Sequence, residues 1–251
     1  DIEDDTFNIC PDKLEQKILE IESKNEFNIK AVIPVDLFGL PSNLVQIEKI
    51  TTKHNLKLIV DSAQGFGATI YDKKSCSYGD VGATSFFPAK PLGCYGDGGA
   101  IFTNDKELYK KLISIRVHGK GDDKYDNIRI GINGRLDSIQ AAILLTKFKY
   151  YAEEIELRNK VALKYFEKLN KKVITQNIPN GYKSVWAQFS ILAENKNLRE
   201  IIQNKLKENG IPTAVYYPKP LHLQTAFKKL NYNYGDYPIS ENISNRIFSL
   251  P

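Results

Sequence analysis

The sequence predicts an α/β fold: a mixed, mainly parallel sheet flanked by helices, followed by a smaller α+β unit. Three observations carry this. Apolar runs at 31–35 and 56–60 bracket an amphipathic segment, which is the spacing of a βαβ unit. Two more strand-like runs follow, at 81–87 and after the glycines at 96–99. From Leu136 a helical pattern runs to about Leu169, long enough to join two domains, and the elements beyond it alternate differently. The chain of 251 residues thus divides into a larger domain over 1–150 and a smaller one over 151–251.

Taken in order, Pro11 suits the first turn of a helix whose inner face carries Leu14, Ile18 and Ile21. The strand at 31–35 ends in Asp36-Leu37-Phe38-Gly39, a turn signal. Ser42 is expected to cap a second helix with Leu44, Ile47 and Ile50 inward. The strand at 56–60 delivers Asp61 to its carboxyl end, where ligands bind in such sheets. Asp105 caps a helix to about Ile115, with Leu108 and Leu112 inward. Residues 117–135 are polar, glycine-rich and aperiodic, a surface loop of the kind that carries function. In the second unit, 184–192 and 213–217 read as strands, and 197–209 reads as a helix stopped by Gly210-Ile211-Pro212. Tyr182 and Trp186 are expected to pack this smaller unit, and His54 to sit at a helix end.

Hydrophobic residues make up 42% and charged residues 26%, a globular balance. The formal charge of +5 is dispersed, with Lys-Lys pairs at 73–74, 110–111, 171–172 and 228–229. No basic block forms, which argues against nucleic acid. Cys10, Cys76 and Cys94 are odd in number and far apart, so neither a disulfide framework nor a zinc site is expected. That usage suits the reducing cytoplasm. No apolar run reaches membrane-spanning length, and no signal peptide opens at Asp1. There is no methionine. The chain is therefore expected to be incomplete, or methionine to be replaced by a modified residue that interrupts the sequence.

The chemistry concentrates in Ser85-Phe86-Phe87-Pro88-Ala89-Lys90-Pro91-Leu92-Gly93. Two prolines stiffen the backbone around Lys90, and Phe86 and Phe87 are expected to pack inward. An amine in a rigid apolar frame loses charge readily and becomes a nucleophile fit for an imine. The bland alternative is a turn lysine in water. Asp61 likewise is either a turn carboxylate or the acceptor for a cationic ring nitrogen, and Gln64 lies three residues on. Pyridoxal phosphate needs such a set: an imine-forming lysine, a carboxylate under the pyridinium nitrogen, and a hydroxyl such as Ser85 for the phosphate.

Three stretches make the chain recognisable: DSAQGFG at 61–67, TSFFPAKPLGCYGDGGAIFTN at 84–104 and GINGRLDSIQAA at 131–142. With these it resembles the DegT/DnrJ/EryC1/StrS sugar aminotransferases, over its whole length. The resemblance implies the type I aspartate-aminotransferase fold and pyridoxal 5'-phosphate as cofactor. It implies that Lys90 forms the imine and shuttles the proton, that Asp61 pairs with the ring nitrogen, that Gln64 lies near the ring, and that Ser85 binds phosphate. It further implies a homodimer with shared sites. Asn133 would bind the neighbour's cofactor phosphate. Arg135 would meet an anionic group of the glutamate donor or the sugar, or else form a helix-start salt bridge.

The 86–95 run looks closest to enzymes that aminate a UDP-linked 3-keto-N-acetylglucosaminuronic acid for bacterial surface polysaccharides. VYYPKPL at 215–221 is similar too, with Tyr216 where such enzymes carry histidine. Tyr216, Tyr217 and His222 are the expected substrate contacts. A 4-keto-sugar aminotransferase and a non-catalytic cofactor-binding regulator are the alternatives. Dehydratases of the family carry histidine in place of Lys90, which argues against that activity here. Family members also extend beyond both ends of this sequence, so a longer protein is expected.

Overall fold

The computed structural model describes residues 1–123, 125–169 and 173–251. Helix α1, Pro11–Lys24, begins with proline at its first turn and ends in a left-handed Asn25. Strand β1 is only Ala31–Val32, because Pro34 has no amide to donate and interrupts the ladder. Pairing resumes with a parallel bridge between Val35 and Asp61. Ile33 is exposed rather than buried as the apolar run suggested. After a 3-10 turn at Leu37–Gly39 comes α2, Leu44–Lys53. Its cap is Asn43, whose side chain accepts from the Gln46 amide, and not Ser42. Ser42 is fully buried, and its hydroxyl donates to the Val35 carbonyl. His54 closes the end of α2 and faces Glu15 and Glu22 of α1.

Strand β2, Lys57–Asp61, runs parallel to β1. A short hairpin, β3 (Thr69–Ile70) and β4 (Lys73–Lys74), precedes β5, Val81–Ser85, which is parallel to β2. Strand β6, Gly99–Phe102, is antiparallel to β5 and forms the edge. The sheet is therefore mixed and mainly parallel, in the order β1-β2-β5-β6. Leu44, Ile47 and Ile50 of α2 pack with Ile18, Leu58 and Val60 into one core. Each such side chain contributes about 1.5–3 kcal/mol when fully removed from water. Helix α3, Lys106–Arg116, is capped by Asp105 through the Glu107 and Leu108 amides.

Helix α4, Ser138–Leu169, starts two residues later than the pattern suggested and spans two cores. Leu144, Tyr151 and Ile155 pack with Phe86 and Leu92, whereas Ala162 packs with Trp186, Phe189 and Phe248. Beyond it lie β7 (Ile174–Thr175), β8 (Tyr182–Lys183), β9 (Phe189–Leu192), α5 (Lys196–Glu208), α6 (Pro238–Arg246) and β10 (Ile247–Leu250). Strands β10, β9 and β7 form an antiparallel sheet. Strand β8 returns to pair with β3, so Tyr182 packs on the first core and not on the smaller unit.

One further expectation is corrected. The strand at 213–217 is reduced to one bridge between Ala214 and Ser249, on the edge of β10 that faces away from β9. The N-terminus of α6 is closed from afar by Asp1, which accepts from the Ile239 and Ser240 amides. The Lys-Lys pair at 171–172 lies outside the described residues. Among the described residues, no helix is long and apolar enough to cross a membrane.

Candidate active site

Parallel strands leave their carboxyl ends open, and here β1 and β2 end at the floor of a cavity of about 850 Å³. That volume suits a small organic ligand. Asp61 lies at this floor as the last residue of β2. One of its carboxylate oxygens accepts from the Ala63 amide at 3.0 Å. Its other oxygen has no partner among the described residues. Gln64 is buried, and its side chain is held at both ends. Its Oε1 accepts from the Phe38 amide at 2.6 Å, and its Nε2 donates to the Tyr217 hydroxyl at 3.3 Å.

Lys90 lines the same cavity. Its frame is partly as the sequence suggested. Phe86 is buried, but Phe87 is 49% exposed and turns outward. The turn is tight: a Cβ on Gly93 would meet the Pro88 carbonyl oxygen at 2.5 Å. Lys90 forms no ion pair among the described residues, and neither does Asp61. An amine and a carboxylate on one cavity, neither neutralised by the protein, complement a ligand with an electrophilic carbon and a basic ring nitrogen. Pyridoxal phosphate is such a ligand, and these residues fit it.

The opposite wall comes from residues 216–244. Tyr216, Tyr217 and His222 all line it, together with Lys219, Tyr232 and Tyr237. His222 is fixed by Glu241, whose Oε1 lies 2.9 Å from its Nε2, and its ring meets Tyr237 edge to face at 4.7 Å. Glu241 is 3% exposed and also accepts from the Gly235 and Tyr237 amides. Burial alone would push its carboxyl up, but those amides and His222 outweigh it and hold it below the usual carboxylate range.

Three expected site residues are not brought to the cavity. Ser85 stands half-buried at the end of β5, where its hydroxyl accepts from the Phe87 amide at 3.2 Å. Asn133 and Arg135 are exposed on the loop after Val117, which is tied down by a bridge between Val117 and Asn133. Around them Ile128, Ile130 and Ile132 are exposed, Ile130 to 97%.

Sequence reasoning passed over Asp36 and Glu241. Asp36 stands out in the sequence only as a turn residue, although it follows the apolar run at 31–35 as Asp61 follows the run at 56–60, and that parallel was the available signal. For Glu241, proline at the first position of α6 with glutamate three residues on was the signal of a helix start.

Comparison with known proteins agrees with these features. Residues 1–251 match the DegT/DnrJ/EryC1/StrS aminotransferase family. The UDP-2-acetamido-2-deoxy-3-oxo-D-glucuronate aminotransferase of Pseudomonas aeruginosa is 43% identical over 252 residues, covering 100% of this chain and 66% of that protein. A pleiotropic regulatory protein of Geobacillus stearothermophilus is 41% identical, with the same coverages of 100% and 66%. The crystal structure of a DegT DnrJ EryC1 StrS aminotransferase from Brucella abortus superposes with a TM-score of 0.95 at 47% identity, again over 100% of this chain and 66% of that one. The chain thus spans just under two thirds of the length of the relatives it matches. With the whole of its sequence matched and its mixed sheet superposed, the chain belongs to the DegT/DnrJ/EryC1/StrS aminotransferase family.

Proposed function

We propose that the protein transfers the amino group of L-glutamate to a nucleotide-linked keto-sugar, with pyridoxal phosphate as cofactor. The sugar we favour is the UDP-linked 3-keto-N-acetylglucosaminuronic acid, in bacterial surface-polysaccharide synthesis. The observation that carries the proposal is the convergence of the Lys90 amine and the Asp61 carboxylate on one cavity. The 43% identity to an aminotransferase named for that 3-oxo sugar supports the substrate.

When bound, the cofactor supplies an electron sink for the bond electrons at the substrate Cα. The chain's own residues do the rest. Lys90 Nζ would hold the cofactor as an imine and, as a free amine, would carry the proton between the substrate Cα and the cofactor C4′. Asp61 keeps the ring nitrogen protonated. Gln64, pinned by the Phe38 amide and Tyr217, sets the rim beside the ring. Ser85, at the end of β5 but outside the cavity lining, is assigned the phosphate on the family resemblance alone, and would reach it from beside the Lys90 turn. Tyr216, Tyr217 and His222 face the sugar nucleotide.

Asn133 and Arg135 point to a homodimer. They lie outside the cavity, among exposed isoleucines that a second copy would cover. Asn133 then serves the partner's phosphate, and Arg135 an anionic group of donor or sugar. The two units divided near residue 150 are proposed as domains that share helix α4.

The test is spectroscopic. Protein loaded with the cofactor shows a visible band, glutamate bleaches it, and the UDP-linked 3-keto sugar restores it with release of the 3-amino sugar, detected by mass. Restoration only by a 4-keto sugar moves the substrate assignment. A band that glutamate leaves intact removes transamination and favours a regulator, the role for which the Geobacillus relative is named.

A further inference from the structure

Asp36, whose backbone amide is tied to the Asp61 carbonyl, carries a second carboxylate that the proposed chemistry does not use. Asp36 has 0% exposure. One carboxylate oxygen accepts from the hydroxyls of both Ser62 and Ser75, and the other accepts from the Ser42 amide at 3.1 Å. The two serine hydroxyls are also within 2.7 Å of each other. It forms no ion pair among the described residues. A buried carboxylate satisfied by three donors is a rigid hub, since losing any donor leaves a desolvated oxygen.

The hub joins four pieces of chain. Ser62 follows Asp61, Ser75 opens the 3-10 turn Ser75–Ser77, Ser42 leads into α2, and Asp36 itself follows the Val35–Asp61 bridge and opens the turn Leu37–Gly39. The backbone repeats the tie: the Asp36 amide donates to the Asp61 carbonyl at 3.0 Å, and the Asp61 amide to the Pro34 carbonyl at 2.9 Å. The loop after Asp61 wraps the Asp36 side chain so closely that a Cβ on Gly65 would lie 2.5 Å from its Cβ. Only glycine fits there. The titratable groups facing the hub are Asp61 and Cys76, whose thiol burial pushes up to about 11.

We propose that Asp36 is the positioning residue for Asp61: its carboxylate, gripped by Ser62, Ser75 and Ser42, fixes the 61–65 loop so that the Asp61 carboxylate stays aimed into the cavity. This rests on the proposed role of Asp61 toward the cofactor's ring nitrogen. The hub is displaced from the cavity lining, so Asp36 acts through the loop and not on the ligand.

Amide hydrogen exchange on the full chain without cofactor reads the loop directly. Asp36→Asn is expected to speed exchange over 61–67 at least tenfold while α5 peptides stay as in wild type. Should Asp36→Asn not fold, Ser62→Ala and Ser75→Ala, which keep the carboxylate, are expected to give a smaller rise at the same peptides. In the cofactor-loaded protein, the pH midpoint of the visible band is expected to fall by at least half a unit in Asp36→Asn, because a negative charge near the ring nitrogen's partner is gone. Unchanged exchange over 61–67 overturns the proposal whatever the spectrum does. So does exchange that rises everywhere with an unmoved midpoint, which is a stability role alone. Faster local exchange in a protein that shows no cofactor band even as wild type keeps the positioning role and removes the proposed function instead.

Discussion

The two walls of the cavity are built by different physics. The wall at the sheet is set by backbone register: β1 and β2 run parallel, and Asp36 and Asp61 are locked by amide-to-carbonyl bonds at their ends. The wall at 216–244 has almost no regular pairing beside it and is held by side chains, with Glu241 gathering His222, Gly235 and Tyr237, and Asp1 closing α6. Gln64 is a direct bond between them, through the Tyr217 hydroxyl. The difference teaches where chemistry and selectivity reside. A ladder fixes atoms tightly enough for bond making, whereas a side-chain scaffold can vary its contacts with the ligand without disturbing the sheet.

The contrast predicts a steep difference between variants of the two walls. Lys90→Ala should lose transamination by on the order of 10³-fold or more, the scale of removing a covalent nucleophile. The visible band should vanish with it. A variant that keeps both would take Lys90 out of its role and leave the sheet wall without chemistry. Asp61→Asn is the next largest. It keeps the shape and the Ala63 contact but loses the charge that holds a ring nitrogen protonated, so turnover should drop by about 10²-fold or more with cofactor still bound. Near-normal rates in single-turnover measurements with glutamate would mean that the nitrogen's partner lies elsewhere.

The same contrast explains what the sequence could reveal. The sheet wall was legible because local pattern dictates it: an apolar run at 56–60 makes β2, and the next residue must stand at the carboxyl end. Lys90 was legible because two prolines and a glycine demand a fixed turn. The far wall was not, although the family resemblance points to Tyr216 and Tyr217, and His222 stands near Gln224 in sequence. The strand at 213–217 shrinks to one bridge on the outer edge of β10, a partner more than thirty residues away that the local pattern does not reveal. Helix α6 went unseen although it starts with proline, because its decisive cap, Asp1, is 238 residues away from Ile239 in sequence. Phe87 turned outward for a similar reason, as Phe86 alone fits the core with Leu92 and Leu144. Competition between distant segments leaves no trace in a local window.

Glu241 should therefore be as important to the far wall as the ladder is to the near one. Glu241→Ala strips the partner from the partly buried His222 contact and from the Gly235 and Tyr237 amides, and should destabilise the protein by about 3 kcal/mol, the lower end for breaking a buried charged pair. The measurement is urea unfolding at neutral pH. Its carboxyl lies below its ordinary value in the folded protein. The stability it contributes is thus present above the unfolded pKa and is lost as pH falls through the folded one. A cost under 1 kcal/mol would show that the far wall is held by its aromatic contacts instead. If the variant folds, the second half-reaction with the keto-sugar should suffer more than the first with glutamate.

The smallest predicted effect sharpens the near wall. Asp36 is raised from 3.8 to about 6, first by burial and further by Asp61, against the opposing bonds from Ser62, Ser75 and Ser42. A folded pKa above the unfolded one means that the folded state binds the extra proton between pH 4 and 6, so stability falls as pH rises through that window. The shift of roughly two units corresponds to about 3 kcal/mol at most. Carboxylates held below their usual range, such as Glu20, Asp80 and Glu241, act in the opposite direction and at lower pH, so the windows separate. Comparing wild type with Asp36→Asn by urea unfolding at half-unit steps isolates the slope from any pH-independent cost of the substitution. The wild type should lose stability relative to the variant as pH rises from 4 to 6 and hold a constant difference above that. Parallel curves would mean that the hub stays ionised throughout, with its three donors outweighing the burial of the charge.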